Sequence, residues 1–161
     1  MNSFDNYNKI ANLEKIKNNL TTYREIIEKQ GYYIATPVGI SMLPLIRQRV
    51  DTVRLEKPNG RCKKYDVIMY QRKDGTYVLH RIVKVKKDSY VLCGDNQVVL
   101  EHNVTDDMII GVMTALYRGE KYIGIDNPKY VKYYKKRVRR RKRNCVSTKK
   151  STYRNVCFKR Y

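Results

Sequence analysis

From Tyr32 to Ile125 the chain is a succession of short runs rich in Val, Ile and Tyr, each broken by turn residues, and no other feature restricts the fold as much. The runs are Tyr33 to Ile40, Thr52 to Leu55, Val67 to Gln71, Tyr77 to Val85, Tyr90 to Cys93, Val98 to Leu100, Ile109 to Tyr117 and Lys121 to Ile125. β-Branched and aromatic side chains suit a pleated, half-buried surface, and segments this short are of strand length. Pro58-Asn59-Gly60, Lys73-Asp74-Gly75 and Arg118-Gly119 read as turns, the last two as hairpin connections. Many short strands at this spacing predict a mainly β fold, either a coiled antiparallel sheet or an irregular barrel. No internal repeat is visible.

Helical patterns flank this region. Ile10, Leu13, Ile16, Leu20, Tyr23 and Ile27 recur every three or four residues, which predicts an amphipathic helix from about Asn8 to Lys29, with Gly31 as its stop. Packing against the domain is the favoured role for this helix, and a partner-binding face is the alternative. At the other end, Asn127-Pro128 predicts a helix start, with the asparagine as cap and the proline first. The segment Lys129 to about Arg143 follows, carrying Tyr130, Val131, Tyr133, Tyr134 and Val138 among its cations. Asn144 to Tyr161 has too little periodicity to assign structure. The expected organisation is an N-terminal helix over 1–31, a β domain over 32–126 and a basic helical or disordered tail over 127–161.

Charge is unevenly distributed along this plan. The formal net charge is +20, yet residues 127–161 hold 15 Lys and Arg and no Asp or Glu, which leaves 20 against 15 in the rest. The body is therefore mildly basic, and nothing marks it as a dedicated nucleic-acid binder. The first thirty residues contain no unbroken apolar run that could serve as a signal-peptide core. Met108 to Tyr117, the longest nearly apolar stretch, is too short to span a bilayer. A soluble cytoplasmic protein is expected, or one attached peripherally at a membrane surface. Cys62, Cys93, Cys145 and Cys157 show neither zinc-site spacing nor a disulfide framework and read as reduced thiols. A zinc site would need the fold to gather Cys62, Cys93, His80 and His102, and no cofactor is expected.

The chemistry centres on Gly39-Ile40-Ser41-Met42-Leu43-Pro44, which places a serine on a turn. A serine hydroxyl is a weak nucleophile at neutral pH and needs a base, a group to orient that base, and donors for an oxyanion. Downstream come Asp66 in Lys64-Tyr65-Asp66-Val67-Ile68, His80 in Val78-Leu79-His80-Arg81-Ile82-Val83, the turn Gly94-Asp95-Asn96, and Ile110-Gly111-Val112. This ordered set resembles the type I signal peptidases and their LexA-like relatives, in which a Ser-Met-x-Pro serine is followed by a lysine or histidine strand and a Gly-Asp-Asn turn. The resemblance covers roughly residues 36–125. With His80 at the base position it is similar to the histidine form, found in archaea and the endoplasmic reticulum, and it implies a serine peptidase fold with Ser41 as nucleophile. Histidine suits the role, because its ordinary pKa of about 6.5 lets it take and return a proton near neutral pH.

Two carboxylates stand open as the acid that orients His80. Asp95 matches the Gly-Asp-Asn turn, while the resemblance implies a second acid six residues later, where this chain has Glu101. Glu101 is favoured as the orienter and Asp95 as the residue that holds the turn. The resemblance also implies a serine donor two residues before the nucleophile, and this chain has Gly39 there; losing one such donor can cost on the order of a hundredfold in rate. The substrate expected is a leader or signal-type peptide, or a segment of a partner protein. A non-catalytic peptidase-like binding module is the rival reading. In the tail, a merely solvated extension is weighed against binding to an anionic membrane surface, with tyrosines at the interface, or to nucleic acid.

Overall fold

Local chemistry sets the first element of the computed structural model, which describes residues 22–147. Thr22 is extended at φ −72°, ψ 155°, and its hydroxyl accepts from the Glu25 N–H at 3.2 Å while the Glu25 carboxylate accepts from the Thr22 N–H at 3.0 Å. This reciprocal cap satisfies two amide donors that a helix start would otherwise leave orphaned. Helix α1 (Tyr23–Gln30) follows, and Gly31 ends it in the left-handed region at φ 82°. The single helix expected from Asn8 is thus broken at Thr22, where the cap replaces helix continuation; the stretch ahead of it lies outside the described residues. Ile27 carries the apolar stripe into the core.

The strands are β1 (Tyr32–Ala35), β2 (Thr52–Glu56), β3 (Val67–Gln71), β4 (Tyr77–Val85), β5 (Tyr90–Cys93), β6 (Glu101–Val104), β7 (Ile109–Arg118) and β8 (Lys121–Gly124). All pair antiparallel in one sheet of order β1-β2-β7-β3-β4-β5-β6, with β8 also on β7. The long β7 carries β2 along one edge, while β3 and β8 share the other: Val112 pairs with Ile68, and Ala115 with Gly124. The sheet is not closed, so of the two predicted architectures the antiparallel sheet stands and the barrel does not.

Two of the predicted strands differ from expectation by more than one residue. β1 stops at Ala35 rather than Ile40, just before Pro37, a residue that has no N–H to give a ladder. Val98 to Leu100 is not a strand; β6 begins at Glu101, and Val98 and Val99 are solvent-exposed. The chain there forms the loop that brings Gly94 to Asn96 against the Ser41 segment.

Both faces of the sheet are covered. Along β3, Val67 and Met69 enter one apolar cluster with Ile27, Met42, Leu45, Ile46, Leu55 and Leu116, while Ile68 and Tyr70 enter another with Ile82, Tyr90, Leu92 and Val104. Strict alternation across two buried faces explains why β3 reads as a continuous apolar run.

The predicted second helix forms as α2 (Pro128–Ser147), with the Asn127 carboxamide oxygen accepting from the Lys129 and Tyr130 N–H groups at 3.0 and 3.4 Å. Its first three turns pack on the sheet. Tyr130 and Val138 are buried, and Tyr134 stacks on Tyr65 with ring centroids 5.0 Å apart. Part of what reads in sequence as a tail is therefore core.

Candidate functional site

The serine loop, residues 36–51, joins β1 to β2 and is tied down at both ends. Met42, Leu45 and Ile46 are buried in the core, which fixes the loop while leaving Ser41 half-buried on the turn before them. Asp51 is fully buried and accepts from the Arg47 backbone N–H at 2.9 Å and from its guanidinium at 3.0 and 2.7 Å; Arg118 Nε lies 3.5 Å away. Burial opposes ionisation of Asp51, and these donors outweigh it, holding the carboxyl below its ordinary range. Gly39 sits at φ 108°, a backbone state that side chains other than glycine's resist, and its N–H donates to the Gln48 carboxamide at 3.1 Å. The Leu43–Pro44 peptide is cis.

The Gly94-Asp95-Asn96 turn clamps this loop from the other side. Asn96 N–H donates to the Ser41 carbonyl at 2.7 Å, and the Asn96 carboxamide donates to the Ile40 carbonyl at 3.2 Å. A methyl group at Gly94 would lie 2.6 Å from the Ser41 carbonyl oxygen and 3.0 Å from the Ser41 Cβ, so only glycine allows the two backbones to approach this closely. Asp95 is fully buried and takes both arms of the buried Arg81 guanidinium, at 2.9 and 2.8 Å. Tyr133 of α2 donates to it at 3.2 Å, and the Arg137 side chain donates to its backbone carbonyl. Arg81 also donates to the Tyr65 carbonyl at 2.8 Å and to the Tyr130 hydroxyl at 3.2 Å.

His80 precedes Arg81 on β4, so its side chain leaves by the opposite face. It is buried, and its Nδ1 lies 3.4 Å from the Tyr70 hydroxyl and 3.8 Å from Glu101 Oε2. Tyr70 donates a short hydrogen bond to that same Oε2. Arg72 closes the group with two 2.7 Å bonds, one to each Glu101 oxygen. These Arg72 bonds, followed by the Tyr70 bond, hold the Glu101 carboxyl below the ordinary range against the opposing effect of partial burial. Burial, reinforced by the adjacent Glu101 carboxylate, pushes the Tyr70 hydroxyl up, so it stays protonated.

Ser41 and His80 line one cavity of about 240 Å³, together with Gly39, Arg72, Val78 and Gln97. Of the two candidate acids, Glu101 is the one beside the imidazole. Asp95 is bonded instead to Arg81 and to Tyr133 of α2, on the turn that clamps the Ser41 loop. Asp66 caps its own turn, accepting from the Lys63 N–H at 2.7 Å, and burial raises its pKa. His102 is exposed. Cys62 and Cys93 are buried, the Cys62 thiol pushed up to about 12 chiefly by burial and the Cys93 thiol donating to the Val99 carbonyl at 3.0 Å; among the described residues no cluster of His, Cys, Asp and Glu could hold a metal ion.

Sequence reasoning missed Tyr70, Arg72, Asp51 and the inward face of α2. Tyr70 and Arg72 are two apart at the end of β3, hence on one face, and Ile68 pairs with His80, which places that face beside the imidazole. The spacing was readable, but the pairing that gives it meaning was not. No protein-family model matches the chain, and no curated protein sequence matches it. No described helix is long and apolar enough to cross a membrane.

Proposed function

We propose that the chain is a serine endopeptidase acting on a leader or signal-type peptide, with Ser41 as nucleophile, His80 as general base and Glu101 orienting His80 through its Nδ1 side. The observation that carries the reading is that Ser41 and His80 share one cavity while a carboxylate held in its ionised form stands 3.8 Å from His80 Nδ1. The ordered motifs that resemble type I signal peptidases and LexA-like peptidases point the same way. In this mechanism His80 Nε2 takes the Ser41 proton as the oxygen attacks the scissile carbonyl, then gives it to the leaving amine; water repeats the cycle on the acyl-enzyme. The Ser41 backbone N–H is the oxyanion donor. With Gly39 where a serine donor would sit, slow turnover is expected.

The test compares the wild type with Ser41→Ala and His80→Ala on a set of candidate leader peptides, with cleavage read by mass spectrometry. Loss of processing in both variants supports the reading. Equal processing by all three proteins rejects it and leaves the non-catalytic binding module.

A second reading concerns α2. Lys129, Lys132, Lys135, Lys136, Arg139 and Arg140 are exposed, whereas the tyrosines expected to meet a membrane interface are turned onto the sheet. A face that, among the described residues, exposes these cations and no large apolar side chain fits a phosphate backbone better than a bilayer. Affinity for single- or double-stranded nucleic acid that falls steeply with salt, and is lost on Lys132→Glu with Lys136→Glu, would support it. Binding to anionic vesicles alone would favour the membrane instead.

A further inference from the structure

We propose that Tyr70 is a positioning residue that fixes His80 in the tautomer carrying its proton on Nδ1, with the lone pair on Nε2. The inference rests on the peptidase reading for its catalytic meaning and on hydrogen-bond logic for its physical content.

A phenol has one hydrogen to donate, and an ionised carboxylate has none. Glu101 is kept ionised by the two 2.7 Å bonds from Arg72, so the Tyr70 proton must point to Glu101 Oε2. The Tyr70 oxygen is then left only as an acceptor toward its other neighbour. That neighbour is His80 Nδ1, at 3.4 Å, and the contact is favourable only if Nδ1 bears hydrogen. The imidazole carries a single proton when neutral, so Nε2 holds the lone pair, which is the state a general base needs.

The same arrangement serves the charged state. When His80 accepts the Ser41 proton at Nε2, the imidazolium keeps its Nδ1–H directed at the Tyr70 oxygen, with the Glu101 carboxylate 3.8 Å from that nitrogen. No proton leaves Tyr70 at any stage. Sequence places the parts simply: Tyr70 ends the buried alternation of β3, Arg72 lies one step further on the same face, and Glu101 opens β6. Arg72 thus polarises Glu101, Glu101 fixes the hydroxyl, and the hydroxyl fixes the ring.

The chain has two histidines, which makes a direct measurement practical. Long-range proton–nitrogen correlation spectra of the uniformly nitrogen-15-labelled full chain, above the imidazole titration, report the tautomer of each ring; a His102→Gln variant assigns the signals. The expected result is a His80 pattern with Nδ1 protonated and Nε2 bare, shifting in Tyr70→Phe toward the Nε2-protonated form that free imidazole prefers. A wild-type His80 already protonated on Nε2, or nitrogen shifts unchanged in Tyr70→Phe, overturns the proposal. If Tyr70→Phe does not fold, Glu101→Gln gives the same readout, since without the anion nothing compels the phenol proton to turn away from His80; an unchanged pattern there also counts against it.

With a processed peptide, Tyr70→Phe is expected to lower kcat about 10- to 100-fold with KM nearly unchanged, part of the ~10²–10⁴-fold that a positioned base contributes. An effect confined to KM overturns the positioning role. If Ser41→Ala abolishes nothing while the imidazole pattern holds, the peptidase reading fails and the tautomer assignment stands.

Discussion

His80 and Arg81 are neighbours on β4, yet they belong to two different electrostatic regions. Arg81 faces a sealed side, where its guanidinium and the Asp95 carboxylate are both fully buried and their remaining bonds go to Tyr65, Tyr130 and Tyr133. His80 and Arg72 line a cavity, and side-chain exposure is 39% for Arg72 and 24% for the Glu101 it holds. The sealed pair cannot change charge without leaving an uncompensated ion in low dielectric, so it is suited to holding shape. The second group is partly open to water, which can solvate a change of charge there. One strand step, reversing the side of the sheet, separates the fully buried acid beside Arg81 from the partly exposed acid beside His80.

The sharpest way to break this contrast is Asp95→Asn. It strands the Arg81 charge in the interior, and a loss of about 3–5 kcal/mol is expected in urea unfolding. A cost no larger than that of Glu101→Gln would erase the distinction between the two acids. Next in size is Gly94→Ala, whose new methyl meets backbone at 2.6 Å and forces the Ser41 loop to move. About 1–3 kcal/mol of stability should go, together with peptide processing. Unchanged processing would mean that the clamp on Ser41 does not matter to function.

Tyr133→Phe removes one donor to Asp95 and leaves the ring in place, so about 1 kcal/mol is expected in thermal or chemical unfolding. A neutral result would indicate that α2 contributes packing without supporting the turn. Glu101→Gln should have the smallest effect on stability, below about 1 kcal/mol for a half-exposed pair, alongside the largest fall in processing for its stability cost. Its pH signature has a definite sign. The folded carboxyl lies below the ordinary glutamate value of 4.5, so the stabilisation is present above that value and lost as pH falls through the folded one. Comparing wild type and Glu101→Gln in acid unfolding titrations checks this: the two curves should converge at low pH, and divergence there would contradict it.

Much of the framework was legible in the residues. Val67 to Gln71, Tyr77 to Val85 and Tyr90 to Cys93 are strands with the bounds the pattern predicted, and the Lys73-Asp74-Gly75 and Arg118-Gly119 turns join β3 to β4 and β7 to β8. These features depend on local preference and period. Val98 and Val99 misled because they are apolar and β-branched, yet the loop that clamps Ser41 leaves them in solvent. The cations of α2 masked Tyr130, Tyr133 and Val138, which share its inward face. Composition, unlike three-dimensional packing, cannot tell a docked helix from a solvated one.

By itself, then, the sequence determined most of the strands, the turns between them and the helix caps at Gly31 and Asn127, because each depends on neighbours in the chain, while the candidates Ser41, His80, Asp95 and Glu101 came from the family resemblance. The tertiary structure alone decided that Asp95 answers Arg81 while Glu101 answers His80, that Tyr70 and Arg72 complete the second group, and that α2 braces the turn beneath Ser41. Those choices depend on which strands pair and in what register, and pairing between distant segments is set by the burial of the whole sheet.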